Sequence, residues 1–171
     1  MNLLRKAARM FKPKNDLSKT YAASMLPGEA LGLAPYPKKD FLAAQGIYAY
    51  RLQFMVLEHD AKAVLSAIAA NFKVERDDIF QEGSARNDQG YAIHFSIRPE
   101  FDGAVVELVT NFIPFLKALD AMAIKPPAPW VVFPEIDPES LGSLQGSIDY
   151  WWTWFWSPFW DAVSDDEKAR F

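Results

Sequence analysis

Tyr91–Thr110 reads YAIHFSIRPEFDGAVVELVT, and the fold turns on this stretch. In Tyr91–Arg98 aromatic and branched residues alternate with polar ones, and Ala104–Thr110 is almost wholly branched and apolar. Both runs read as strands, and the intervening PEFDG has the composition of a turn, so the stretch predicts a β-hairpin. Upstream, Gly46–Leu57 (GIYAYRLQFMVL) places Tyr48, Tyr50, Leu52 and Phe54 on one face of a further strand. Asp60 then reads as the N-cap of a helix that runs to about Asn71, carrying Val64, Leu65, Ile68 and Phe72 at helical spacing. Residues 75–90 are polar, contain Gly83 and Gly90, and read as a loop with room for a short strand at Asp78–Gln81.

Downstream, Pro114 suits the first turn of a helix whose apolar face is Phe115, Leu116, Leu119 and Met122, and Lys125-Pro126-Pro127 stops it. A short strand is expected at Trp130–Phe133. The resulting order, β-α-β-β-α, predicts an α+β fold. It has a small antiparallel or mixed sheet of about three to five strands, helices packed mainly on one face, and a helical C-terminus.

The C-terminal segment, YWWTWFWSPFW, concentrates aromatic residues among carboxylates. Its apolar positions fall at 148, 151, 152, 155, 156, 159, 160 and 163, and steps of three and four favour a helix. Pro158 cannot sit in an undisturbed helix, because its ring meets the carbonyl of Trp154. Either a kink there or a fresh helix with Ser157 as N-cap and Pro158 at the first position is therefore expected, the fresh helix being preferred. Most of these rings read as core. The surplus, Trp151, Trp154 and Trp160, together with Asp149, Asp161, Asp165 and Asp166, reads as a partner-binding face, since Trp and Tyr bury large area with few rotatable bonds.

Composition narrows the classes of function. A chain of 171 residues, half of them hydrophobic, suits one globular domain that buries its own core. There is no cysteine, which removes disulfides, thiolate metal sites and cysteine nucleophiles, and points to a reducing, cytoplasmic setting. No apolar run reaches the roughly 20 residues of a membrane span. Residues 1–39 carry eight Lys and Arg against two acidic residues, a net +6, whereas the rest carry ten against twenty, a net −10. Residues 1–39 read as an N-terminal arm, with an amphipathic helix over 2–11 ended by Pro13 and a Pro/Gly connector from Leu26 to Pro37. Residues 40–171 read as a single α+β domain. The charge split implies either a charged partner or docking of the arm on the body. The acidic body would repel phosphates, so direct nucleic-acid binding is not expected, and the short basic helix is too modestly apolar for membrane contact to be expected.

Catalytic patterns are sparse. His59 and His94 are the two histidines, no serine lies in a GxSxG elbow, and both histidines read as structural. The carboxylate clusters Glu75/Asp77/Asp78, Glu135/Asp137/Glu139 and Asp161/Asp165/Asp166 lack the spacing of a cation loop, and GSLQGS at 142–147 lacks a phosphate-loop lysine. No metal or cofactor is expected. The chain is therefore expected to be a non-enzymatic protein-binding module, of the type of a bacterial immunity protein or antitoxin that masks a toxin with an acidic, aromatic surface. Two alternatives stand beside it. One is an enzyme whose site gathers scattered carboxylates with Arg98, Tyr91 and His94; the other is a ligand or carbohydrate module using Trp side chains.

Overall fold

The computed structural model describes residues 14–25, 32–75, 78–135 and 145–170. Its centre is a five-stranded antiparallel sheet with strands β1 (Asp40–Phe41), β2 (Tyr50–Val56), β3 (Glu82–Arg86), β4 (Ala92–Glu100) and β5 (Gly103–Thr110). The spatial order is β1-β2-β5-β4-β3, so the expected hairpin β4-β5 supplies the central strand, and every residue of β5 is buried.

The hairpin closes tightly. Glu100 faces Gly103, which leaves Phe101 and Asp102 as a two-residue loop with φ of 54° and 53°. Such a loop needs positive φ at both centres, a conformation that costs a phenylalanine about 1–2 kcal/mol. The Phe101 ring offsets the cost by packing against Phe133, Tyr150 and Phe155 at centroid distances of 5.8, 6.2 and 6.5 Å. At Gly103 a Cβ would sit 2.5 Å from the Val56 carbonyl oxygen, so the close approach of β5 to β2 requires glycine.

One sheet face carries Leu52, Phe54 and Val56 from β2, Ile93, Phe95 and Ile97 from β4, and Ala104, Val106 and Leu108 from β5. The period of two follows from the pleat. Helices α1 (Lys14–Thr20) and α2 (Glu58–Asn71) flank β1 and β2 in the chain, and α3 (Ile113–Ala121) follows β5. The buried side chains Ala61, Val64, Leu65 and Ile68 of α2 and Ile113, Phe115, Leu116 and Leu119 of α3 cover this face. Helix α2 begins at Glu58, two residues before the expected cap. Asp60 instead lies in the first turn, where it complements the positive helix end alongside Glu58.

Helix α3 ends with Ala123 at φ 49°, in the left-handed conformation that glycine adopts freely. Ala123→Gly is expected to raise stability by about 0.5 kcal/mol, the relief of strain outweighing the added entropy of the unfolded chain. Chemical denaturation of the two proteins side by side measures it.

Two expected strands are placed differently. Strand β3 lies at 82–86 rather than 78–81, because Gly83 acts as a strand residue: a Cβ there would lie 3.1 Å from the Phe95 ring. Residues 130–133 do not form a strand; α4 (Pro129–Val132) is a single helical turn whose first position is held by Pro129.

The opposite face of the sheet has its own cover. Near one end Leu17 and Tyr21 pack with Leu42, Ile47, Ala49, Ala92 and Val109. Near the other, Met55 and Val105 meet Val132, Trp151, Phe155, Trp156 and Phe159. The two longest α-helices thus share one face, as the order of elements implies, and the aromatic C-terminus adds a layer to the other. The described part of the basic arm is integral to this packing. Ala34 N–H donates to Asp120 Oδ2 at 2.7 Å, and Lys39 Nζ donates to Ala34 O at 2.9 Å while pairing with Asp120. The pair is buried, its side chains 6% and 11% exposed, which ties residues 34–39 to α3. The helix expected over 2–11 and the first part of the connector lie outside the described residues. Among the described residues no helix is long and apolar enough to cross a membrane.

Candidate functional site

The aromatic segment is helical throughout, as α5 (Ser147–Trp151), a π-helical turn at Trp152–Trp156 and α6 (Ser157–Ala162), followed by α7 (Asp165–Lys168). Of the two alternatives, the preferred fresh start at Ser157 does not occur: Trp156 and Ser157 both have right-handed helical dihedrals, and the helix runs on. The Ser157 N–H donates to the carbonyl of Trp152, five residues back, and this wider turn is where the helix absorbs Pro158. Trp151, Phe155, Trp156 and Phe159 all turn inward, on the face that the helical spacing of the segment marks as apolar.

The inward rings stack. Trp151 and Trp156 lie 5.7 Å apart at 20°, and Trp156 and Trp160 lie 5.6 Å apart at 21°, so both ring faces of Trp156 are covered by indoles. The Trp151 indole N–H donates to the Met55 thioether at 3.2 Å, which gives this buried donor a partner in the sheet. Lys168 Nζ stands 5.9 Å from the Trp160 ring centroid and closes the outer end of the stack with a cation–π contact.

The residues expected to meet a partner therefore divide. Trp151 has 0% exposure and belongs to the core. Trp160 is half-buried between Trp156 and Lys168. Trp154 projects outward with 43% of its surface exposed, and Asp149, Asp161, Asp165 and Asp166 are all exposed. Asp149, Thr153, Ser157 and Asp161 recur every four residues, which aligns them along one ridge beside Trp154. Thr153, Ser157, Pro158, Asp161 and Ala162 line one side of a shallow open cleft of about 420 Å³, and Pro35 and Lys38 line the other. Asp165 and Asp166 have a second task at the first turn of α7, where Ser164 and Glu167 form a capping box. Trp130 and Val131, 55% and 50% exposed, add apolar surface on α4 that the strand expectation concealed.

Beneath the helix, between the two apolar clusters of this face, runs a polar row in which Gln53, Glu107 and Ser96 are neighbours across β2, β5 and β4. Glu107 is 2% exposed and accepts from Arg98 Nη1 at 2.8 Å; Arg98 also pairs with Glu100 at 3.5 Å. Burial works against the Arg98 charge, but the Glu107 charge and hydrogen bond, with Glu100, outweigh it and hold the guanidinium above its ordinary range. Burial likewise raises Tyr150, reinforced by Glu100 and Glu107 and opposed by Arg98, so its hydroxyl stays protonated beside the guanidinium.

His94 is engaged with Tyr21. The Tyr21 hydroxyl donates to Val109 O at 2.7 Å and lies 2.8 Å from His94 Nδ1, so Nδ1 carries the hydrogen in that contact. Burial pushes Tyr21 well above the ordinary phenol range and keeps it neutral. Tyr91 has the other strand parity and packs on Phe112 at 5.1 Å, so it does not join His94 and Arg98. His59 is exposed and lies 3.3 Å from Asp60. Among the described residues no three His, Asp or Glu side chains converge as a metal site.

Comparison with protein-family models, with curated proteins and with solved structures gave no match to this chain.

Proposed function

We propose that the chain is a non-enzymatic protein-binding module, of the immunity-protein or antitoxin type, that masks a basic partner with the outer ridge of its C-terminal helix. The observation that carries this reading is Trp154: a large indole, 43% exposed, held on a helix whose inner rings are locked into the core. A rigid exposed aromatic loses little entropy on binding and fits the role of an anchor. The exposed carboxylates Asp149 and Asp161 on the same ridge supply the charge that would steer and orient a basic surface. A flat sugar platform is less well supported, because the faces of Trp156 are covered on both sides.

Affinity capture from the native host, in parallel with Trp154→Ala and Asp161→Lys, tests the proposal. A basic protein retained in stoichiometric amount by the natural chain, and lost or strongly reduced with either variant, is the expected result. Equal retention by all three, or no partner at native concentrations, contradicts it. Trp154→Ala is expected to remove most of the affinity, Asp161→Lys to slow association in a salt-dependent way.

A further inference from the structure

Strand β3 ends the sheet, and among the described residues no strand pairs with its outer edge. The hydrogen bonds that flank it fix which of its peptide groups face outward. Ile97 N–H donates to Gln81 O at 2.8 Å and Asn87 N–H to Tyr91 O at 2.9 Å. Antiparallel ladders alternate bonded and non-bonded pairs, so Gln81, Gly83, Ala85 and Asn87 direct their peptide groups toward β4. Glu82, Ser84 and Arg86 direct theirs away from the sheet, and all three residues are exposed.

Natural sheets guard such an edge by keeping it short or with charged side chains, proline, a bulge or an inward charge. The edge strand Glu82–Arg86, EGSAR, contains no proline and pairs with β4 without a bulge; its two charges, Glu82 and Arg86, are of opposite sign, and Arg86 Nη1 donates to Gly90 O at 2.9 Å. What it contains is self-complementarity. We infer that β3 is a homodimerisation edge, on which two copies of the chain pair antiparallel about a two-fold axis at Ser84.

In that arrangement Ser84 meets Ser84 of the partner subunit, and Glu82 meets Arg86 of the partner subunit on either side. These are the residues whose peptide groups face outward, so the phase of the ladder already suits mutual N–H and C=O exchange. Gly83 meets the partner's Ala85, small against small. The charged pairs lie directly opposite each other on one face, where opposite signs favour the pairing and like signs oppose it. Register is specified as well: sliding the pairing so that Ser84 meets the partner's Arg86 sets Glu82 against Asp88 of the partner subunit. An isologous contact of this kind closes on itself and extends one sheet through both copies. Its small area places it among weak interfaces.

Sedimentation velocity on the full chain, from about 5 µM to about 500 µM at low salt, reads the association directly. The natural chain is expected to dimerise with concentration. Glu82→Arg and Arg86→Glu, each alone, set like charges opposite one another and should weaken the dimer at least about tenfold. Mixed in equal amounts, the two variants present opposite charges again and should recover it. Ser84→Pro removes one outward N–H and none that serves β4; it should melt like the natural chain and stay monomeric. A natural chain that is monomeric throughout overturns the inference. So does a dimer that all three variants preserve, or a mixture that fails to associate where the natural chain does.

Discussion

Trp151→Ala is expected to cost about 3–5 kcal/mol of folding stability and to lower the melting temperature by roughly 10 °C. The indole is fully buried, stacks on Trp156 at 5.7 Å, meets Phe133 edge-on at 5.6 Å and donates to Met55 in the sheet. Truncation removes the largest buried side chain of this layer and leaves a cavity between helix and sheet that rigid neighbours cannot fill. The loss should therefore also loosen Trp156 and Trp160, seen as a collapse of near-ultraviolet circular dichroism well below the main transition. A melting temperature within about 2 °C of the natural chain would mean that the aromatic layer does not support the sheet.

Arg98→Met is expected to cost about 3 kcal/mol, because it strands the Glu107 carboxylate at 2% exposure without its cationic partner. The figure sits at the low end for a buried pair, since the Arg98 side chain is itself 36% exposed and water screens part of the interaction. Glu107→Gln alone should cost less, about 1 kcal/mol, because the half-exposed guanidinium can hydrate and still bond the amide. The double variant should regain most of what Arg98→Met loses. Urea denaturation of the four proteins completes the cycle, and additive losses would show that the two side chains do not act together.

Much of the fold is legible in the chain because two periods are written plainly in it. The alternation of Ile93, Phe95 and Ile97, the branched run of β5 and the helical spacing of Val64, Leu65 and Ile68 each specify an element and its buried face. What is not legible is what tertiary contacts decide. Gly83 resembles a loop residue until the Phe95 ring is seen lying against it. Pro158 resembles a helix break, and only the π turn at Trp152–Trp156 shows how one helical run continues through it. The candidate ridge is half legible: the helical stripe of the segment includes Trp151 and omits Trp154, but how many of the surplus rings find cover depends on packing against the sheet. The polar row of Gln53, Glu107, Ser96 and Arg98 was hidden too, because strand register brings together residues that stand far apart in the chain.

In the proposed function one helix serves two roles, its inner rings holding the sheet and its outer ridge holding a partner. The dissociation constant of the captured partner for Trp154→Ala, measured by calorimetry beside the variant's own melting curve, separates the two. Binding is expected to weaken by at least about thirtyfold, the effect of losing one aromatic anchor, with the melting temperature unchanged within about 2 °C. An affinity equal to that of the natural chain, with the fold intact, would contradict it.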